Sequence, residues 1–198
     1  MNQVRVGIVG YGVVGRKRHE MLSGINGVEV VAICDRRPID QTTLLPGISI
    51  HKSFEGVLQQ EIDALFVCLS TDMLAQVTAA GLKKNLHVFC EKPPARTLQE
   101  LDEVVRLERE RPDRILRYGF NHRRHGSVED AHQTISTNRL GRVLNIRGVY
   151  GKSKNITFDQ SDWRTKKAIA GGGILLDQGI HLVDLIRLFG GEFSVVGS

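Results

Sequence analysis

Cysteine is scarce in this 198-residue sequence: Cys34, Cys68 and Cys90 are the three, and they lie far apart. An odd count without paired spacing argues against a disulfide framework and against a Cys-type zinc site. Free thiols in the strand-like runs VVAICD, ALFVCLS and HVFCEKP suit a reducing cytoplasm. Long apolar runs are missing too, and none approaches the roughly 18 residues that cross a bilayer, so no membrane partner is expected. The N-terminus MNQVRVGIVGYGVVG has one early cation, is broken by glycines and leads directly into Arg16-Lys17-Arg18, which is not the build of a signal peptide. Internal repeats and low-complexity tracts are absent. Net charge is +5, a mild bias compatible with an anionic or phosphorylated ligand. No zinc finger, recognition-helix pattern or aromatic RNA-binding signature accompanies it, so nucleic acid is not expected. Arg106, Arg109, Arg111, Arg114 and Arg117 are spread through a helix-like stretch and its exit, the pattern of a solvated face.

What is present is a rhythm. Short β-rich runs at 4–9, 29–34, 48–51, 64–69, 87–90 and 115–118 alternate with helix-length amphipathic segments at 13–23, 54–60, 72–84 and 97–109. Thr97 and Glu100 have capping-box spacing, and Pro112 closes that last helix. Strands with apolar interiors alternating with helices predict a parallel sheet covered on both faces, a doubly wound α/β unit over residues 1–120. Residues 121–198 read differently. They offer a helix at 127–137, a strand at 142–150 and a polar stretch at 151–170 without periodicity. An apolar helix is expected next, from the glycine triplet 171–173 to about Phe189, with a strand starting in EFSVVGS. A stable sheet needs three strands or cover from a helix. This second region therefore reads as an incomplete α+β open-sheet domain, as though the chain stopped inside it.

Gly10-Tyr11-Gly12-Val13-Val14-Gly15 is a G-x-G-x-x-G placed after the strand VRVGIV and at the opening of a helix. The first glycine permits the tight turn, and the second lets the backbone approach a pyrophosphate. The third lets helix and strand pack closely, while the helix N-terminus offers N–H groups to the anion. Asp35 follows Gly15 by 20 residues, at the end of the second strand. A carboxylate there hydrogen-bonds the adenosine ribose hydroxyls of NAD. Arg36 and Arg37 come next and could pair with a 2′-phosphate, so NAD is expected and NADP is possible. Glu91-Lys92-Pro93 ends a later strand, on the edge of the sheet where ligands sit. The Lys92 ammonium can hold a substrate hydroxyl and stabilise an alkoxide, or it can be an ordinary strand-end lysine. Glu91 can serve the cofactor side or a structural arginine. Asp177, His181 and Asp184 share one helix face in GGGILLDQGIHLVDLIRLFGG. That spacing admits a metal site, a satisfied core histidine, or a histidine poised as acid/base with Asp177 orienting it. The glycine triplet lets the backbone come close to a ligand, which raises the third reading.

Taken in order, strand–GYGVVG–helix, Asp35, EKP, GFNHRR, DWR and GGGILLDQGIHLVDL resemble the glucose-fructose oxidoreductase/inositol dehydrogenase/MocA family of sugar and cyclitol dehydrogenases, over residues 6–191. The resemblance implies a Rossmann domain, then a domain with an open, mostly antiparallel sheet for substrate binding and homo-oligomer contacts, and NAD(P) as hydride carrier. It implies Lys92 as the alkoxide-stabilising lysine, and Asp177 and His181 as the acid and histidine of the catalytic helix, with His181 the acid/base. Asn121, Arg123, Trp163 and Arg164 are implied near the nicotinamide or substrate. Leu69, Ser70 and Glu91 join the cofactor side, and no metal is implied. The substrate would be a sugar or polyol, free, phosphorylated or nucleotide-linked. The sequence departs from the family in two ways. Leu69-Ser70-Thr71-Asp72-Met73-Leu74 stands where members commonly read T-P-N-x-x-H, and members usually continue well beyond the catalytic helix. The second departure keeps open another expectation, a dinucleotide-binding module without catalysis.

Overall fold

The computed structural model describes residues 3–44, 46–151 and 162–197. These fall into two compact units, Met1–Gly119 with Ala168–Gly171, and Phe120–Lys167 with Gly172–Ser198.

The first unit is built on six strands: β1 (Val4–Val9), β2 (Val28–Cys34), β3 (Ser49–His51), β4 (Ala64–Val67), β5 (His87–Cys90) and β6 (Leu116–Tyr118). Its helices are α1 (Val13–Ser23), α2 (Phe54–Leu58), α3 (Thr71–Lys83) and α4 (Leu98–Glu110). The sheet order is β3-β2-β1-β4-β5-β6, and every pairing is parallel. This is the doubly wound α/β arrangement that the alternating pattern predicts. Successive strand residues feed two apolar clusters. Val9, Ala32, Leu65 and Val67 join one, while Val6, Ile8, Ile33 and Phe66 join the other. The period of two thus places a core on each face of the sheet. Local sequence sets the helices against it. Leu74, Val77 and Leu82 turn inward from α3, and Gly81 leaves room for Leu65, since a Cβ there would meet its Cδ2 at 2.8 Å. Fully burying a side chain such as Leu82 contributes about 1.5–3 kcal/mol. The Thr97 hydroxyl accepts the Glu100 N–H at the start of α4. The outer face of α4 carries the ion pairs Lys83–Glu103 and Arg106–Glu110, exposed pairs that contribute little to stability.

Strand order reverses between β1 and β4. Connections leave in opposite directions there, so a crevice opens outside the carboxyl ends of these strands, where ligands bind in such sheets. The glycine loop after β1 and the turn after β4 both lie at that edge.

The described part of the second unit holds a 3₁₀ turn, Asn121–Arg124, the helix α5 (Gly126–Ser136) and a 3₁₀ turn, Trp163–Thr165. The short α6 (Lys167–Ala170) follows in sequence but, from Ala168 on, belongs to the first unit; in the second unit a π-helical turn, Leu175–Gly179, then runs into α7 (Ile180–Gly190). Two expectations are corrected here. The strands anticipated at 142–150 and from Glu192 onward form no ladder among the described residues. A strand is stable only through its neighbour, and neither segment has a β partner, so Leu144, Val149, Val195 and Val196 each remain more than four-fifths exposed. Among the described residues the second unit is helical and irregular, with no paired strand. The polar stretch expected at 151–170 is described only from Asp162 onward, and the rest of it lies outside the described residues.

A third correction concerns length. Lys167–Gly190 does reach the span of a bilayer by length and composition. The stretch is not helical at residues 171–173, and two of its polar residues, His181 and Asp184, are buried.

Candidate active site

In the first unit the glycine loop is tight enough that its glycines are obligatory. Gly10 has φ +91°, a region that side chains rarely adopt, and a Cβ there would strike the Cys68 carbonyl. A Cβ on Gly15 would fall 2.0 Å from the Gly10 carbonyl oxygen. Gly12 is the N-cap of α1 and has no side chain to offer its orphan N–H groups, so the helix end is left open to an anion. Around Gly12 only the Arg37 guanidinium comes within contact distance of an added Cβ, at 3.1 Å. These features fit a dinucleotide pyrophosphate. Val13 and Val14 are exposed beside the loop. Tyr11 contributes its backbone alone, because its ring is buried and its hydroxyl shares a 2.6 Å hydrogen bond with His19 Nδ1. Burial pushes the Tyr11 hydroxyl up and the His19 imidazole down, so both are neutral at pH 7.

Asp35 stands at the end of β2. Its Oδ1 accepts the backbone N–H of Arg37 at 2.9 Å and the Arg37 Nε–H at 3.2 Å, and Oδ2 accepts from Nη2 at 3.4 Å. Burial pushes the carboxyl up, but the Arg37 bonds and charge outweigh that and hold it below its ordinary value. Asp35 is thus a carboxylate in a position to receive ribose hydroxyls. Arg37 already leans on it, and Arg36 is exposed to solvent. After β4, the Leu69 side chain rests against Gly10, and the Ser70 hydroxyl donates to Asp72 Oδ1 at 2.6 Å as the N-cap of α3. The Thr71-Asp72 pair therefore starts a helix without the family's proline.

At the end of β5, Glu91 is gripped by Arg18 of α1, whose Nε donates to Oε1 at 2.7 Å. Lys92 follows, half-buried, with a cis peptide to Pro93. The first unit thus gathers the loop 10–15, Asp35, Leu69, Ser70, Glu91 and Lys92 at the carboxyl ends of four strands.

In the second unit His181 is buried at 5% exposure. Its ring is stacked on that of His122, with centroids 3.9 Å apart and planes at 16°. Tyr150 stacks on His122 in turn at 5.6 Å, and Phe120 meets His181 edge-on at 6.1 Å. Asp177, on the π-helical turn, accepts from Gln178 Nε2 at 3.0 Å and faces Arg164 Nε at 3.7 Å. Arg164 lies over the Trp163 ring, 4.5 Å from its centroid. Asp184, buried, takes a two-pronged bond from Arg123, Nε to Oδ2 at 2.7 Å and Nη2 to Oδ1 at 2.6 Å. Arg123 is thereby committed to α7, and Asn121 is exposed at the start of its 3₁₀ turn. Among the described residues no group of three or more His, Cys, Asp or Glu side chains is arranged to hold a metal ion.

Sequence reasoning missed His122 and Arg18. His122 stood in the quoted GFNHRR, between Phe120 and His125, and that run of rings was a usable signal. Arg18 pairs with a residue 73 positions away, for which no periodicity speaks.

Residues 4–120 match the family described as "Oxidoreductase family, NAD-binding Rossmann fold", and residues 128–198 match "GFO/IDH/MocA C-terminal domain". The chain is 29% identical over 195 residues to myo-inositol 2-dehydrogenase of Thermotoga maritima, covering 96% of this chain and 55% of that protein. It is 31% identical over 197 residues to glucose-6-phosphate 3-dehydrogenase of Bacillus subtilis, covering 96% and 55%. Among solved structures, myo-inositol 2-dehydrogenase from Lactobacillus plantarum superimposes with a TM-score of 0.81 at 27% identity, over 96% of this chain and 57% of that one. The chain spans about half the length of these relatives. With its open glycine loop, Asp35 and a family match across more than half its residues, the chain belongs to the Gfo/Idh/MocA oxidoreductase family, and its first unit is the NAD-binding Rossmann domain of that family.

Proposed function

We propose that this chain carries the reacting groups of an NAD(P)-dependent dehydrogenase that oxidises a CH–OH carbon of a sugar, sugar nucleotide or cyclitol. The observation that supports it most is the buried His181, held in a ring stack on the same helical segment as Asp177, in a chain whose other unit has the open glycine loop. When bound, the nicotinamide supplies the hydride-accepting carbon. Lys92 holds the substrate hydroxyl oxygen and steadies the negative charge that grows on it. His181 takes the hydroxyl proton, and Asp177 holds a neighbouring hydroxyl or orients the histidine. Trp163, Arg164 and Asn121 are the remaining substrate-side groups, while Arg123 acts through Asp184 by fixing α7. Asp35 selects NAD, and the adjacent Arg36 and Arg37 make NADP a second possible carrier. The phosphorylated sugar named for the Bacillus relative and the inositol named for the Thermotoga relative mark the range to screen. Homo-oligomeric assembly and a reducing, cytoplasmic setting for the three thiols belong to the same reading.

The test is a panel of cyclitols, sugars, sugar phosphates and nucleotide sugars, with NAD and NADP, read at the absorbance band of the reduced nicotinamide. Turnover that collapses in Lys92→Ala and in His181→Ala, with NADH affinity retained, is the expected result. Unchanged turnover in either variant would remove that residue's role.

A further inference from the structure

We propose that Arg18 is a positioning residue for Lys92, acting through Glu91; the inference rests on the reading of Lys92 given above. Arg18 sits on α1, the helix whose N-terminus is the phosphate-facing loop. Its guanidinium meets a single carboxylate oxygen with two atoms, Nε at 2.7 Å and Nη2 at 2.6 Å from Glu91 Oε1. Its flat face lies over the Phe89 ring, 5.0 Å from the centroid, and Phe89 is stacked on Phe66 at 4.9 Å. The second carboxylate oxygen lies close against Gly119, where a Cβ would fall 2.6 Å from Glu91 Oε2, so only glycine leaves room for the carboxylate there. Both side chains are largely buried, at 21% and 14% exposure.

Backbone bonds complete the grip. The Glu91 N–H donates to the Val67 carbonyl at 2.9 Å, and the Gly119 N–H donates to the Cys90 carbonyl at 2.8 Å. The residue just before Lys92 is thus tied to β4 and β6 by its backbone neighbourhood and to α1 by its side chain. The α1 tie refers the lysine to the helix whose N-terminus is the glycine loop. Lysine in place of Arg18 keeps the charge but loses the planar two-atom contact and the stacking on Phe89. Without any cation, the largely buried Glu91 carboxylate is left beside the Phe89 ring with no counter-charge from α1, and the segment that carries Lys92 loses its one side-chain anchor to that helix among the contacts described. A displacement of about 1 Å at a reacting group costs on the order of a hundredfold in rate.

The experiment uses the full chain and reads Lys92 directly. Acetic anhydride labelling of Lys92 is followed by peptide mass spectrometry with and without NADH, alongside NADH titrations. The expected result is that NADH slows labelling about tenfold in the wild type and less than about twofold in Arg18→Met, with NADH affinity within about threefold. Equal protection in both proteins overturns the proposal. Should Arg18→Met fail to bind NADH, Arg18→Lys decides: clearly reduced protection supports the proposal and full protection overturns it. Absence of protection in a wild type that binds NADH overturns both this proposal and the catalytic role of Lys92. Normal protection without any alcohol oxidation overturns the dehydrogenase reading and leaves the Arg18 inference standing. Where turnover is found, Arg18→Met lowers kcat at least tenfold with little change in the KM for NAD, and Arg18→Lys recovers part of it.

Discussion

Alanine at Gly12 and alanine at Gly15 separate two roles that the glycine loop combines. At Gly15 the new Cβ falls 2.0 Å from the Gly10 carbonyl oxygen and 3.0 Å from its carbon. Ordinary contacts between such atoms lie beyond 3 Å, so the overlap exceeds an ångström and is with backbone that cannot rotate away. Overpacking of this kind costs about 1–3 kcal/mol, and rigid neighbours place it at the upper end. For a chain of this size that lowers Tm by about 4–10 °C. At Gly12 the one neighbour is Arg37 Nη2 at 3.1 Å, the far end of an exposed, flexible side chain. The backbone there, φ −76° and ψ −160°, is open to alanine, so stability should fall by less than about 1 kcal/mol. The methyl group nevertheless stands where the pyrophosphate must approach, so NADH affinity should drop at least tenfold, about 1.4 kcal/mol. Thermal unfolding by circular dichroism paired with NADH fluorescence titration reads both quantities. Gly12→Ala that keeps wild-type affinity would refute the placement of the phosphate, and Gly15→Ala that keeps wild-type Tm would refute the packing argument.

Three further outcomes are expected. Burial pushes the Cys34 thiol up to about 11 and the Cys90 thiol up to about 12. Iodoacetamide at pH 8 should therefore label both on the order of a hundredfold more slowly in the native chain than in urea, and comparable rates would contradict their burial. The folded Asp35 carboxyl titrates below its ordinary value of 3.8. Its contribution to stability is fully present above that pH and disappears as pH falls through the folded value, so Asp35→Asn should flatten the acid side of the stability profile below about pH 4. An unaltered profile would count against the Arg37 contact. Arg123→Met leaves the buried Asp184 carboxylate without its two-pronged partner. It should destabilise the second unit by about 1–3 kcal/mol, discounted because Arg123 is itself half-exposed, and Asp184→Asn added to it should recover part of the loss. Hydrogen exchange along α7 checks this, and unchanged protection would contradict it.

The alternating pattern made the first unit legible because its central strands are covered by helices encoded nearby, and the interiors of β1, β2 and β4 are buried as the apolar runs imply. The segments 142–150 and 192–197 have the alternation of strands too, yet alternation reports only which side chains could be buried. Pairing needs a partner backbone, and none lies beside them among the described residues. At the site, the glycine loop and Asp35 were readable because a tight turn and a strand end constrain residue type locally. The Tyr11–His19 bond turned a residue of the glycine motif inward, which the motif itself does not disclose. Arg123 looked like a ligand-facing cation until its partner was known, since Asp184 is 61 residues away. The Arg18–Glu91 and His122–His181 pairs are tertiary in the same way: each joins residues whose types are ordinary and whose meaning lies in the contact.

The most direct test of the account is a calorimetric titration of this 198-residue chain with NADH and, separately, with NADPH. The account predicts saturable binding of NADH at a single site in the micromolar range, tighter than that of NADPH and abolished by a bulky side chain at Gly12. Absence of binding heat with either nucleotide, from a chain shown by circular dichroism to be folded, would contradict it.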